Sequence, residues 1–141
     1  MNKRQLGKTD INLTAIGFGG APLGNLFENL DERNCYDILE KSYEKGINIY
    51  DTSPLYGYGL SEHRLGNFLK TVDEDSYFLS TKVGRYLTPA KKDNIDRGRF
   101  AGSLNFSPNL DYSYDGVMRA FEQSLLRLAA VSYTHLRAHE T

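Results

Sequence analysis

Three side chains in this sequence could together move a proton at a carbonyl group: the acid Asp51, the phenol Tyr56 and the ammonium Lys82. Asp51 closes a short alternating run, Ile47-Asn48-Ile49-Tyr50, and Pro54 stops that run from continuing. The acid and Tyr56 therefore belong to a loop leaving the end of a strand. Lys82 ends a second such run, Tyr77-Phe78-Leu79-Ser80-Thr81. A tyrosine held beside a lysine can donate a proton at neutral pH, because the positive charge favours the phenolate left behind, while an aspartate offsets the charge on the lysine. Such a trio suits polarisation of a carbonyl oxygen during hydride transfer. Taken singly, each residue has a plainer reading: packing for Tyr56, a turn acid bonding the backbone of Ser53 for Asp51, and a surface charge for Lys82.

The elements that must position these groups follow in chain order. Arg4-Gln5-Leu6 and Ile11 to Thr14 flank Gly7-Lys8-Thr9-Asp10, the pattern of a small hairpin. Ala15 to Phe18 reads as a short buried strand closed by Gly19-Gly20, glycines that make a tight turn or let a ligand approach the backbone. Asp31 to Lys45 reads as a helix whose inner side carries Cys35, Ile38, Leu39, Ser42 and Tyr43, with Gly46 in the place of a left-handed cap. After the Tyr56 loop, Ser61 is expected to cap a short helix to about Lys70, with Leu65, Phe68 and Leu69 buried. Gly84 to about Asp111 has no periodicity, and its aromatic residues Tyr86, Phe100 and Phe106 favour an ordered loop over a site. Ser113 caps a last helix with the stripe Val117, Met118, Phe121, Leu125 and Leu128. Strand-helix, strand-helix and strand-loop-helix in succession imply an α/β fold of parallel strands with right-handed crossovers. Such a set is either an open doubly wound sheet or the front of an eight-unit barrel of about 250 residues.

Composition narrows the function classes. In 141 residues, 17 Lys plus Arg against 18 Asp plus Glu give a formal net charge of -1, so no global field favours nucleic acid or an anionic membrane. No apolar run has the length of a membrane span, and the N-terminus lacks a secretory apolar core, so a cytoplasmic protein is expected. Cys35 is the single cysteine and reads as packing.

Asp51-Thr52-Ser53-Pro54-Leu55-Tyr56-Gly57, followed by Gly59-Leu60-Ser61-Glu62 and Leu65-Gly66, resembles a signature of the aldo-keto reductase family. Ser80-Thr81-Lys82-Val83-Gly84 resembles the next signature, and Leu6-Gly7-Lys8-Thr9 with Gly17-Phe18-Gly19 is similar to the family's opening. The resemblance covers residues 3 to about 128. It implies an (α/β)8 (TIM) barrel that binds NADP or NAD in an extended pose without a Rossmann domain and interconverts carbonyls and alcohols. It implies Tyr56 as general acid/base, Lys82 as the group that assists its proton loss, and Asp51 as the partner of Lys82, also near the nicotinamide ribose. Gly19, Gly20 and Ala21 would line the nicotinamide end of the cofactor. The implied partner is a small carbonyl or sugar substrate, with no metal, nucleic acid or membrane. Within the family, Ser53-Pro54 and the long loop after Lys82 most resemble bacterial sugar and pyridoxal dehydrogenases of the L-fucose or D-threo-aldose type.

The resemblance leaves off near residue 128. The family continues into a fourth strand carrying a catalytic His, whereas Ala129 to Thr141 does not read as that strand and resembles a non-native or disordered tail. Residues 1–128 are accordingly expected to be the N-terminal part of the reductase domain, about three βα units preceded by a hairpin, and inactive without the remainder. His139 lies near the distance of the family's His but in a polar, charged setting. His135 and His139, four residues apart, offer only two ligands to a metal, and His63 reads as a helix surface residue. Two other readings stand beside the enzyme: a non-catalytic cofactor-binding or regulatory subunit with the same barrel, and an open-sheet nucleotide-binding domain. The second of these lacks a phosphate-binding glycine fingerprint.

Overall fold

A computed structural model describes residues 1–130 and the backbone of residues 135–138. The chain opens with the antiparallel hairpin β1 (Lys3–Gln5) and β2 (Asn12–Thr14), in which Lys3 pairs with Thr14 and Gln5 with Asn12. Three parallel strands follow, β3 (Phe18–Gly19), β4 (Ile49–Asp51) and β5 (Phe78–Val83), separated by the helices α1 (Glu32–Glu44) and α2 (Leu60–Leu69). After β5 comes an antiparallel pair, β6 (Arg85–Pro89) and β7 (Phe106–Leu110), and then helix α3 (Tyr114–Leu128). A last strand, β8 (His135–Ala138), runs parallel to β5 and gives the main sheet the order β3-β4-β5-β8. This is an incomplete (β/α) barrel: three helices on one side of an open, unclosed sheet, with a hairpin at its start.

Local chemistry accounts for the helix ends. Asp31 accepts a hydrogen bond from the Asn34 amide at 2.8 Å and Ser113 accepts one from the Gly116 amide at 3.1 Å, so α1 and α3 begin where capping side chains stand. Helix α2 starts differently from expectation. Its N-cap is Gly59 at φ +96°, and Ser61 is buried within the first turn, where its hydroxyl donates to the Gly20 carbonyl at 2.7 Å. Ser61 ties α2 to the end of β3 instead of capping the helix.

The core lies between sheet and helices. Tyr50 points from β4 onto Leu39 of α1 and onto Leu65, Phe68 and Leu69 of α2, all essentially inaccessible, and Cys35 is packing material among them. Burial pushes the Cys35 thiol up from its ordinary range, as expected of an inert core cysteine. Two helix faces depart from the apolar pattern. Ile38 is exposed, since α1 turns Cys35, Leu39 and Ser42 inward. Helix α3 buries Leu128 and the small residues Gly116, Ala120 and Ser124, and leaves Val117, Met118, Phe121 and Leu125 half-buried.

Polar side chains join what the short strands cannot. The Thr14 amide donates to Asn48 Oδ1 at 2.7 Å, and Asn48 Nδ2 donates to the Asn12 carbonyl at 2.9 Å, so one buried Asn fastens the hairpin to the start of β4. The first parallel strand is consequently shorter than Ala15 to Phe18, and Ala15, Ile16 and Gly17 lie exposed before it. The segment from Gly84 onwards, aperiodic in sequence, holds β6 and β7. Pro108 is accommodated because this is a two-stranded ribbon, where every strand has an edge. The pairing of residues 135–138, in a stretch that does not read as a strand, supplies partners to backbone groups along β5 that would otherwise be open. No helix among the described residues is long and apolar enough to cross a membrane.

The Glu62 carboxylate, fully buried on α2, accepts from Arg127 Nε of α3 at 2.6 Å and from Thr81 Oγ1 of β5 at 2.7 Å. Removing one partner of such a pair strands a charge in the core. Arg127→Met is expected to lower the unfolding free energy by about 3–5 kcal/mol in urea titration, with partial recovery in the double variant that adds Glu62→Gln. A loss under about 1 kcal/mol would mean the pair behaves as a surface one.

Candidate active site

Strand pairing brings the separated residues of the sequence together. Gly19 of β3 pairs with Asp51 of β4, and Asp51 with Ser80 of β5, so these three stand in one layer at the carboxyl ends of parallel strands. Lys82, two residues beyond Ser80, points to the same face. Its ammonium donates to Asp51 Oδ2 at 2.7 Å and to the Thr52 carbonyl at 2.8 Å. The other carboxylate oxygen, Oδ1, accepts from Ser80 Oγ at 2.8 Å. The lysine side chain is 12% exposed and the aspartate 32%, so this ion pair is half withdrawn from water and firmly oriented.

Tyr56 completes the group from the loop. The loop reverses in a tight turn, in which the Tyr56 amide donates to the Ser53 carbonyl at 3.1 Å and the Tyr56 carbonyl accepts from the Ser61 amide at 3.2 Å. The turn is pressed against residues 22–24. A Cβ on Gly24 would come 2.4 Å from the Tyr56 carbonyl carbon, and Gly57, at φ +64°, faces it from the other side. Backbone contact at that range is open only to glycine. Lys82 Nζ lies 4.8 Å from the centre of the Tyr56 ring, and the phenol hydroxyl has no hydrogen-bond partner among the described residues. Asp51, Tyr56 and Lys82 therefore form one cluster.

Of Gly19, Gly20 and Ala21, Gly19 lines open space and Gly20 does not. A Cβ built on Gly19 meets nothing within 4 Å, and the residue borders a groove of about 370 Å³ together with Leu6, Leu13, Ile49, Asp51 and Ser80. Gly20 is buried. Its amide donates to the Asp51 carbonyl at 2.7 Å, and a Cβ there would lie 2.9 Å from that same oxygen. Ala21 precedes a single 3-10 turn, Pro22–Gly24.

The remaining candidates stand apart from the cluster. His63 lies on the outer side of α2, where partial burial and the neighbouring Arg127 guanidinium hold its imidazole below the ordinary range. His135 occupies the register position opposite Ser80, and His139 lies outside the described residues. The described residues contain no group of three or more His, Cys, Asp or Glu able to hold a metal ion.

Two contributors, Ser80 and Arg64, were not legible as such, and a third, Phe100, reads in the sequence only as an aromatic residue of an ordered loop. Ser80 alternates with Lys82 on β5, a period-two hint that the hydroxyl faces the same carboxylate. Arg64, nearly inaccessible, donates to the Leu23 carbonyl, Asn25 Oδ1, the Leu30 carbonyl and Glu32, and so organises the loop that abuts Tyr56. Phe100, from the connection between β6 and β7, places its ring 6.2 Å from that of Tyr56.

Residues 15–136 match the sequence profile of the Aldo/keto reductase family. The chain is 41% identical over 148 residues to pyridoxal 4-dehydrogenase of Microbacterium luteolum, an alignment covering 98% of this chain and 43% of that protein. It is 48% identical over 77 residues to D-threo-aldose 1-dehydrogenase of a Pseudomonas species, covering 55% of this chain and 23% of the relative. Among solved structures, the holo form of an aldo-keto reductase from Bacillus halodurans superposes with a TM-score of 0.74 at 32% identity, over 99% of this chain and 40% of that one. The chain thus spans less than half the length of the relatives it matches. With the profile running from just before the first parallel strand into the last, and with strand order and helix placement in agreement, the chain belongs to the aldo/keto reductase family.

Proposed function

We propose that these residues form the proton-transfer half of an NAD(P)-dependent oxidoreductase acting on a small carbonyl or the matching alcohol, with an aldose or a pyridoxal-type aldehyde as substrate. The observation that carries this reading is the contact of Lys82 with both partners: its ammonium is bonded to Asp51 at 2.7 Å and sits 4.8 Å from the centre of the Tyr56 ring. Tyr56 is the general acid/base. In the reducing direction its hydroxyl gives a proton to the substrate oxygen; in the oxidising direction the phenolate takes it back. Lys82 favours the negative charge left on the phenol, and Asp51, held by Ser80, keeps the lysine aimed. Because the ion pair already exists before substrate arrives, little reorganisation accompanies the proton transfer.

NAD(P)(H), when bound, supplies or accepts the hydride. The residues present fit its reactive end: a Cβ on Gly19 would meet nothing within 4 Å, and Gly19 and Asp51 border the same groove. Gly19 and Asp51 are the residues that would flank it. Gly20 contributes by allowing β3 and β4 to close on Ser61, one shell away from the ligand. The subfamily reading, a sugar or pyridoxal dehydrogenase, draws support from the two dehydrogenases to which the chain is similar.

In a full-length protein containing this chain, Tyr56→Phe is expected to reduce turnover at least about a hundredfold while NAD(P)H affinity by fluorescence titration stays within about twofold. Turnover close to wild type would remove Tyr56 from the acid/base role. The glycines separate ligand contact from packing. Gly19→Val should weaken NAD(P)H binding by about tenfold or more with an unchanged melting temperature. Gly20→Ala should destabilise the fold by about 1–3 kcal/mol, since its methyl group meets backbone. Equal effects of the two on melting would mean that Gly19 does not border ligand space.

A further inference from the structure

Lys82 must stand at one place for Tyr56 to use its charge, and a flexible four-carbon stem is not fixed by a single contact. Two acceptors hold the ammonium, Asp51 Oδ2 at 2.7 Å and the Thr52 carbonyl at 2.8 Å. Asp51 is held in turn by Ser80. Thr52 follows the last paired residue of β4: its amide still donates to the Ser80 carbonyl at 2.9 Å, but its own carbonyl lies where the strand gives way to the Tyr56 loop.

The side chain of the same residue fixes that carbonyl. Thr52 and Ser61 are both fully buried, and their hydroxyl oxygens stand 2.8 Å apart. Ser61 has one hydroxyl proton and donates it to the Gly20 carbonyl at 2.7 Å, so the proton between the two hydroxyls comes from Thr52. The chain of donors has a single direction, from Thr52 to Ser61 to Gly20. The Gly20 amide closes the ring by donating to the Asp51 carbonyl at 2.7 Å. Thr52, Ser61 and Gly20 are all buried, so water does not replace a lost partner. The backbone of Ser61 reaches the third member of the cluster, its amide donating to the Tyr56 carbonyl at 3.2 Å. One residue of α2 thus touches both the segment that holds Lys82 and the turn that presents Tyr56, and α2 itself is anchored in the core by Leu65, Phe68 and Leu69.

We propose that Ser61 is a positioning residue for the proton transfer, its hydroxyl setting the place of Lys82 against Tyr56 through Thr52. The inference rests on the oxidoreductase reading above and adds to it a buried residue that acts only through its neighbours. Without the hydroxyl, Thr52 loses its acceptor and Gly20 its donor, the Thr52 carbonyl turns from the ammonium, and Lys82 pivots on Asp51 alone. The Ser61 amide still holds Tyr56, so the substitution moves one partner and not the other.

Steady-state kinetics of a full-length protein containing this chain, with pyridoxal and L-fucose as probe substrates, test this. Ser61→Ala should lower kcat by about tenfold or more while KM and NAD(P)H affinity stay within about twofold, since the hydroxyl bears on the reacting proton and not on binding. The decisive arm is a cycle with Lys82→Met. In that background Ser61→Ala should change the residual rate by less than about twofold, because a group acting through the lysine has nothing left to act on. Should Ser61→Ala fail to fold, Thr52→Val removes the first donor of the chain at nearly constant shape and should show the same loss of kcat and the same lack of additivity with Lys82→Met. An equal loss of rate with and without Lys82 would overturn the proposal, since Ser61 would then only support the fold. Wild-type kcat in the folded variants would overturn it too, leaving the oxidoreductase reading intact. A wild-type protein that turns over neither probe and binds no NAD(P)H would overturn both.

Discussion

An ammonium group largely withdrawn from water must have a counter-charge, and Lys82 finds it on the neighbouring strand in Asp51. That pairing requires β4 and β5 to be parallel and in the register that sets Asp51 opposite Ser80. A slip of one residue would turn Lys82 to the helix side, where Leu79 and Val83 are buried. The register is set by the outer face, since Tyr50 and Leu79 pair with one another and must both enter the core beneath α1 and α2. Apolar burial on one face of the sheet thus decides the geometry of charge on the other.

Helix α2 transmits this order to the loops. Its buried positions include two charged residues, and each is satisfied by partners far away in sequence. Glu62 joins β5 and α3 through Thr81 and Arg127. Arg64 gathers carbonyl and amide oxygens from residues 23–30, the segment that presses on the Tyr56 turn and receives the long connection. Burying these groups is unfavourable in itself, but once they are buried every alternative loop position leaves an unpaired charge. The loops around the site are consequently held by hydrogen bonds to a rigid element, which is what precise placement of a reacting group needs.

The readable parts of the chain were those where a local rule operates alone. Asp31 and Ser113 stand as helix caps, Gly46 takes a left-handed conformation at φ +79°, and the alternation up to Asp51 and Lys82 leaves both at strand ends. Reading failed where two rules compete. Ser61 has the type and position of a cap, yet its hydroxyl serves Gly20 across the sheet. Asn48 reads only as a polar position of an alternating run, yet its side chain fastens the hairpin. The strands β6 and β7 carry Pro89 and Pro108 and little alternation, because a two-stranded ribbon packed partly on α3 has no fully buried face to impose one. At Ile38 the apolar residue was visible and its direction was not, for the sequence does not say how α1 is rotated on the sheet.

By itself the sequence determined the order of the first three parallel strands and of the helices, and placed Asp51, Tyr56 and Lys82 at or just past strand ends, because periodicity, capping and turn chemistry act over a few residues. It also carried the family signature. Only the tertiary structure decided that Ser80 and Thr52 share the work of orienting Lys82, that Gly19 faces open space while Gly20 does not, and that Phe100 comes to rest beside Tyr56. Each of those depends on contacts between residues roughly thirty or more positions apart, or on which side of a backbone is free. Such contacts exist only after the core has closed and set the register of the strands.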